Sequence, residues 1–203
     1  RKKTMTVTKV KIANMALSHI GESTIESLTE NSAEAGRVDI FYDVALQRSL
    51  EWYNWPFARR YQTLALHSDA APTTRWQYRY ALPSDVVKCR LIENVLGEDA
   101  DPIPYALEND DSGAELTLLT DVQNAALIYT FLMEHPERFP ADFVLGLSHQ
   151  LAYLMAYSQT GKRTLAGDQL NLFQTFMTQA AASALNEEMP GPPREAEAIR
   201  ARA

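Results

Sequence analysis

The sequence predicts an α+β protein that is mainly α, built as a four-helix bundle with a β-rich insertion between the second and third helices and an extended C-terminal tail. Three observations carry this prediction. Apolar residues recur at helical spacing in the first and last parts of the chain. The middle part instead alternates aromatic and polar residues, which is typical of strands. The final residues combine prolines with charge and alanine and have no apolar face.

These patterns divide the 203-residue chain into four segments. We expect residues 1–57 to form the first half of the bundle and residues 58–134 the β-rich insertion. Residues 135–189 complete the bundle, and residues 190–203 are the tail. A chain of this length with 46% hydrophobic residues can bury a core without a disulfide or a structural metal.

Two helices are expected before the insertion. Residues 7–20 carry apolar positions three and four apart, and Gly21 follows as a C-cap. Residues 33–53 repeat this pattern after Asn31 and Ser32, which are both candidate N-caps, and Glu34 stands three residues after Asn31 as in a capping box. Pro56 lacks a backbone N–H and therefore prevents the second helix from continuing.

The insertion is expected to contain several strands. Residues 76–82 show the clearest alternation, with aromatic side chains on one face. This strand either packs in the core of the insertion or pairs with a strand of a neighbouring subunit. Polar, turn-rich residues 97–113 predict a loop. The remaining extended segments are predicted at residues 57–66, 88–96, 116–119 and 125–133.

Helical spacing returns over residues 140–160 and 165–186. Pro140 suits the first turn of a helix. The run from Pro190 to Pro193 ends regular structure. The helices on either side of the insertion are therefore expected to pack together.

Charge is distributed unevenly. The chain has a net charge of −7, which argues against a general nucleic-acid coat protein. Residues 93–121 contain nine acidic residues and no Lys or Arg, whereas residues 59–90 have a net charge of +4. The acidic run is either a solvated loop or a surface that repels a polyanion or binds a basic partner. A calcium site is a third interpretation, although the glycine-punctuated spacing of an EF-hand is missing. The central acidic residues of the run at residues 93–121 are Glu98, Asp99, Asp101, Asp110 and Asp111.

The motifs of common enzymes are absent from the sequence. The four histidines lack metal-ligand spacing, and Cys89 has no base beside it in the sequence. Glu51 and Glu134 are carboxylates near aromatic residues, but nothing fixes a partner carboxylate for either. No apolar run is long enough to span a bilayer. The sequence thus predicts a protein without catalytic residues, metal or cofactor that does not insert into membranes.

Three stretches together resemble one family. They are residues 12–22 (IANMALSHIGE), residues 52–60 (WYNWPFARR) and residues 78–85 (YRYALPSD). In this order and spacing, and with helices returning after Pro140, they resemble the head-to-tail adaptors of tailed bacteriophages. In short-tailed phages, a family member of this kind is called tail tubular protein A. The resemblance extends from residue 12 to about residue 188.

The resemblance implies a non-enzymatic structural protein of the virion neck that assembles in the host cytoplasm. Members of the family form a ring, usually of twelve copies, beneath the portal protein. The ring forms part of the channel for double-stranded DNA and presents a platform to the tail nozzle or tail tube. A C-terminal segment typically docks on the portal.

Applied to this sequence, the resemblance gives roles to three groups of residues. The tail would dock on the portal through the guanidinium groups of Arg194 and Arg200 and the apolar side chain of Ile199. The acidic residues named above would face the DNA channel or its mouth, where carboxylates do not hold the phosphate backbone. Trp52, Trp55 and Phe57 would form an aromatic corner that anchors the insertion on the bundle, or alternatively a surface that binds a partner; these residue types suit both roles.

Two alternatives belong to other classes of protein. One is a cell-wall hydrolase carried in a phage tail, with Glu51 or Glu134 as its acid. The other is a helical scaffolding or regulatory protein that binds partners without forming a ring. The adaptor hypothesis requires that the chain form a ring, and the hydrolase hypothesis requires turnover of peptidoglycan. The scaffolding or regulatory hypothesis requires neither.

Overall fold

The computed structural model describes residues 7–71, 75–93, 101–160 and 163–187. Four α-helices, two short 3-10 helices (Pro56–Ala58 and Pro136–Arg138) and six strands make up its regular structure. The helices are α1 (Lys9–Ile20), α2 (Ala33–Trp52), α3 (Ala141–Thr160) and α4 (Arg163–Glu187). The strands are β1 (Arg59–Thr63), β2 (Tyr78–Ala81), β3 (Val86–Ile92), β4 (Tyr105–Asn109), β5 (Leu116–Thr120) and β6 (Ala126–Phe131).

Local sequence signals explain the ends of the first two helices. The Thr8 hydroxyl accepts the N–H of Lys11 at the start of α1, and the Ser32 hydroxyl accepts the N–H of Ala35 at the start of α2. Gly21 ends α1 with a φ of 79°, a left-handed conformation that glycine adopts without strain. The helices therefore occupy nearly the ranges that their patterns predict.

The helices do not form the predicted four-helix bundle. α3 packs against each of the other three helices, whereas α1 and α2 touch little and α4 packs mainly against α3. The physical reason lies in α4, whose buried apolar positions form a single stripe that includes Phe173, Met177 and Ala180. A bundle helix needs an apolar face wide enough for two neighbours. The prediction of a four-helix bundle with an insertion is wrong, and the chain is an α+β protein with four helices and two antiparallel sheets.

Each sheet has three strands, in the orders β1–β6–β3 and β2–β5–β4. Both sheets contribute to one apolar cluster, with Leu127 and Tyr129 from β6 facing Tyr80 from β2 and Leu118 from β5. A separate and larger cluster lies among the helices. The strands thus have a core of their own, in addition to the contacts that join them to the helices.

Two strand predictions need correction. β4 lies within residues 97–113, which the sequence predicts as a loop. Polar and turn-forming residues flank this short strand on both sides, and its pairing with β5 brings Glu108 opposite Thr117. β2 is shorter than predicted, because the N–H of Gln77 binds the Asp121 carboxylate instead of a neighbouring strand.

Candidate interaction surfaces

An aromatic corner lies in the connection from α2 to β1 and packs on α3. Trp55 is 1% exposed, donates its indole N–H to the Ser49 carbonyl at 2.9 Å and packs edge-on against Phe143. Phe57 packs against the same Phe143 ring. Trp52 is different, because it is 42% exposed and lies at the edge of the α4 side chain Phe173. Two of the three predicted corner residues therefore lie together, and Trp52 lies apart at the surface.

Arg90 forms a second connection between the strands and α2. It occupies an irregularity in the β3–β6 ladder and donates to the Thr130 hydroxyl at 2.8 Å. Its guanidinium also donates to the carbonyls of Leu50, Glu51 and Tyr53, at 3.1, 3.2 and 2.6 Å. These are carbonyls at the end of α2, where a cation is favoured. Burial lowers the pKa of Arg90, while the Glu51 carboxylate raises it.

The sequence interpretation did not single out Arg90. The available signal was indirect, since α2 has no basic residue in its last turn and a cation must then come from elsewhere. An arginine between apolar residues of a strand is one source, but the sequence does not show which helix lies beside it.

The predicted acidic run is only partly described. Glu98 and Asp99 lie outside the described residues, and Asp101 is exposed. Asp110 and Asp111 lie in the turn between β4 and β5; we call residues 105–120 the acidic hairpin. The run therefore does not present its five central residues as one continuous described surface.

Hydrogen bonds within the turn occupy the Asp110 carboxylate. It accepts the backbone N–H groups of Ala114 at 2.8 Å and Glu115 at 3.0 Å, and it accepts the Ser112 hydroxyl. Hydrogen bonds, that from the Glu115 N–H first, lower the pKa of Asp110 to about 2. Asp110 is thus an organising residue of the hairpin turn.

Arg79 holds the hairpin turn against the segment that precedes β2. Its side chain is 6% exposed, and its Nη1 lies 2.7 Å from Asp111 and 3.6 Å from Asp69. The Asp69 carboxylate also accepts the backbone N–H of Asp111. The acidic hairpin is therefore fixed by an internal cation on one side, which leaves its other acidic groups at the surface.

Beside this contact, His67, Asp69 and Asp110 could offer three metal-ligand atoms within 4.8 Å of one another. Other partners already occupy them, however. His67 Nδ1 accepts the backbone N–H of Asp69 at 3.1 Å, and Arg79 supplies a positive charge. The cluster is better suited to holding the hairpin turn than to holding a cation.

Two stacked histidines lie between α1 and α3. The rings of His19 and His149 are 4.0 Å apart, and His149 also stacks on Phe176. Burial, with a smaller contribution from His149, lowers the pKa of His19 to about 4. His19 Nε2 lies 3.1 Å from the Ser148 hydroxyl, but Ser148 is fully buried and donates to the Leu145 carbonyl. This geometry suits packing and leaves no path for a substrate to the hydroxyl.

The two carboxylates that the hydrolase hypothesis names, Glu51 and Glu134, do not lie in a cleft of the described residues that could bind a substrate. Glu51 accepts a hydrogen bond from Gln47 on the same helix. Glu134 is exposed in the segment after β6. Neither lines the open clefts beside the acidic hairpin.

The helices present two outward faces with unusual composition. On α2, Ile40 is 65% exposed and Val44 is 56% exposed, one turn apart and opposite the buried positions. On α4, no charged residue occurs between Asp168 and Glu187, although one side of this helix is exposed. Exposed helix surfaces normally carry charge, and loss of charge is typical of the centre of a protein interface.

Three strands have an unpaired edge in the described part of the chain. β1 and β3 each pair there only with β6, and β4 pairs only with β5. β3 is connected to α2 through Arg90. β2, which the sequence predicts either in the core or paired with a neighbouring subunit, has partners along both of its edges. It pairs with β5 on one side, and Leu66 bridges to Tyr80 on the other. Strand addition at β2 would therefore have to displace chain that is already paired.

The predicted portal-docking residues Arg194, Ile199 and Arg200 lie outside the described residues. Among the helices that are described, none is long and apolar enough to cross a membrane. No family model matches the chain, and no curated protein matches it.

Proposed function

We propose that the chain is a ring-forming head-to-tail adaptor of a tailed bacteriophage. In this role it joins the portal vertex to the tail nozzle or tail tube and forms part of the DNA channel. It acts by assembly at the virion neck and carries out no chemical step.

The observation that carries the proposal is the pair of unlike outward faces on α2 and α4. One face presents Ile40 and Val44, and the other is free of charge over residues 169–186. A contact between two different faces of the same chain is heterologous, so it generates a ring when the rotation closes. Surfaces of this kind suit a subunit with a neighbour on each side.

The connection between helices and strands supports the same role. Arg90 ties the end of α2 to the strands through hydrogen bonds to carbonyls at that end. Trp55, in the segment from α2 to β1, ties the same end to α3 through its contact with Phe143. A subunit that transmits load from a portal to a tail needs its two layers held together.

The three stretches that resemble the adaptor family also fall at structurally distinct places. Residues 12–22 form most of α1 and its glycine cap, residues 52–60 form the aromatic corner, and residues 78–85 form β2 and the turn into β3. The resemblance therefore concerns residues that shape the fold, and the family's function comes with it as a proposal.

The proposal is tested by measuring mass with and without the portal protein encoded in the same genome. We expect a stable complex in which several copies of the chain sit on each portal ring. Ile40→Asp with Val44→Asp should abolish the complex without lowering helical circular dichroism, because both positions are exposed. Asp39→Asn with Asp43→Asn, on the same helix, is the matched control and should still assemble.

Failure of the folded chain to join portal rings at any concentration would contradict the proposal. Release of fragments from purified peptidoglycan, lost on Glu51→Gln or Glu134→Gln, would instead favour the hydrolase.

Docking through the tail needs its own test. A chain ending at Met189 should keep its helical circular dichroism but fail to join portal rings, because the docking groups Arg194, Ile199 and Arg200 are gone. Arg194→Ala with Arg200→Ala should weaken joining in the full-length chain. If the shortened chain joins portals as well as the full chain, the tail has no docking role.

A further inference from the structure

We infer that β1 of one copy pairs with β4 of the next copy, in antiparallel register, so that the contact between neighbouring subunits includes a shared β-sheet in addition to the outward faces of α2 and α4. This inference rests on the proposed function for the closure of the contact into a ring. The pairing itself requires only that two copies meet.

The two strands match in length and in setting. β1 and β4 have five residues each, and each is the edge strand of a three-stranded sheet. Four of the five residues of β1 and three of the five residues of β4 are exposed. An edge of this kind offers a row of backbone donors and acceptors that another strand can use.

Side-chain chemistry selects the second copy as the occupant. Full antiparallel overlap places Arg60 opposite Glu108 and Tyr61 opposite Leu107. Arg60 pairs with Asp85 of its own chain and lies over the Phe131 ring, but its side chain is still half-exposed and can also meet an anion from outside. Glu108 is an exposed anion, while Tyr61 is 60% and Leu107 41% exposed. Opposite charges and aromatic–aliphatic pairs are both favourable across strands. A parallel alignment would put the two arginines of β1 opposite Tyr105 and Ala106, without any charge pair.

The surroundings of the two strands have opposite charge. The acidic hairpin contains four acidic residues and no basic residue. β1 begins with two arginines, and the guanidinium of Arg59 lies 6.0 Å from the ring of Tyr61. Complementary charge of this kind sets the register of a contact and suppresses pairing of like strands, such as β1 with β1.

The contact is heterologous because β1 and β4 belong to different sheets of the subunit. Each copy therefore offers one strand to each neighbour, as a ring requires. β3, in the same sheet as β1, carries the Arg90 contact to α2. A shared sheet would thus connect the helices of one copy to the acidic hairpin of the next.

Disulfide trapping between differently tagged copies tests the register. One copy carries Tyr61→Cys and the other Leu107→Cys, both with Cys89→Ala so that no other thiol reacts. Opposed residues on paired strands bring their Cβ atoms within about 5 Å, close enough for a disulfide after small adjustment. We expect a mixed disulfide both in free protein at high concentration and on portal rings. Gln62→Cys with Leu107→Cys is the control, since these side chains would point to opposite faces.

Charge exchange gives an independent measurement. Arg60→Glu should weaken association of copies by about tenfold or more, because it places like charges opposite each other. The exchange is made in chains that also carry Asp85→Asn, since Asp85 pairs with Arg60 in the same copy and would otherwise repel the new carboxylate. Adding Glu108→Arg to the same chain should restore most of the association. Loss without restoration, or equal trapping of the control pair, would overturn the inference.

The two proposals fail in different ways. Portal-bound rings without the mixed disulfide would refute the pairing of β1 with β4 and leave the adaptor function standing. Cross-linked multimers that never join a portal would support the pairing and refute the adaptor function. Absence of the disulfide in both settings refutes the pairing.

Discussion

The guanidinium of Arg90 lies 2.6 Å from the carbonyl oxygen of Tyr53, so a cation from β3 meets the residue that follows the end of α2. The last carbonyls of a helix have no partner within the helix and carry a partial negative charge. Arg90 satisfies three carbonyls at this end while the Thr130 hydroxyl holds its Nε. One side chain thereby couples the packing of a helix to the position of a sheet.

Replacing Arg90 with Met should lower the free energy of unfolding by about 2–3 kcal/mol. Hydrogen bonds to a charged group are each worth more than neutral ones, and partly buried carbonyls lose their donors. Chemical denaturation measures the loss. Lys88→Met, a neighbouring exposed cation of the same strand, should change stability by less than about 0.5 kcal/mol. Equal effects of the two substitutions would show that Arg90 contributes only surface charge.

The aromatic corner makes a separate prediction. Trp55→Ala should cost about 3–5 kcal/mol, because the ring is buried against Phe143. Trp55→Phe should cost about 1–3 kcal/mol, since the buried Ser49 carbonyl loses its indole donor. Trp52→Ala should cost clearly less than Trp55→Ala, because Trp52 is exposed over 42% of its surface. Urea unfolding midpoints measure these losses. A lower midpoint for Trp52→Ala than for Trp55→Ala would contradict the prediction and make Trp52 the main anchor of the corner.

The histidine stack should make stability depend on pH. The pKa of His19 is about 4 in the folded chain and about 6.5 when unfolded, so the unfolded chain binds more protons between these values. Stability should therefore fall as the pH falls from about 7 to 4. We expect His19 to account for about 1–2 kcal/mol of this loss, because partial exposure screens the charge.

Thermal unfolding across this pH range measures the dependence. His19→Gln should flatten the curve, because the ring that takes up the proton on unfolding is gone. An equally steep curve in His19→Gln would place the proton uptake elsewhere.

The helices could be predicted from the sequence because their signals are local. Caps such as Ser32 and Gly21 and apolar spacing act within a few residues, so the ends of α1 and α2 follow from neighbouring positions. The arrangement of the helices could not be predicted in the same way. It depends on which stripe of α4 contacts α3. Helical spacing of apolar residues is compatible with a helix that packs against one other helix and with a helix that packs against two.

The strands show the same limit. β4 forms because its backbone pairs with β5. Its five residues lie between polar segments and show no strong alternation of apolar and polar side chains. Trp52 and Trp55 look equivalent in the sequence, yet the chain turns between them at the end of α2 and carries only Trp55 into the core. Arg90 and Arg79 are two further cases, since each acts through partners that are distant in the sequence.

Cys89 should react slowly with thiol reagents in the folded protein. Burial raises the pKa of its thiol to about 11, so about one molecule in a thousand carries the reactive thiolate at pH 8. An exposed cysteine with a pKa of about 8.5 is ionised in about a quarter of molecules. Modification by a chromogenic disulfide at pH 8 should therefore be about two-hundredfold slower in the folded chain than in guanidinium chloride. In Cys89→Ala with Tyr61→Cys the folded chain should react at nearly the unfolded rate, and comparable rates for Cys89 and the new thiol would show that the strand core opens readily around Cys89.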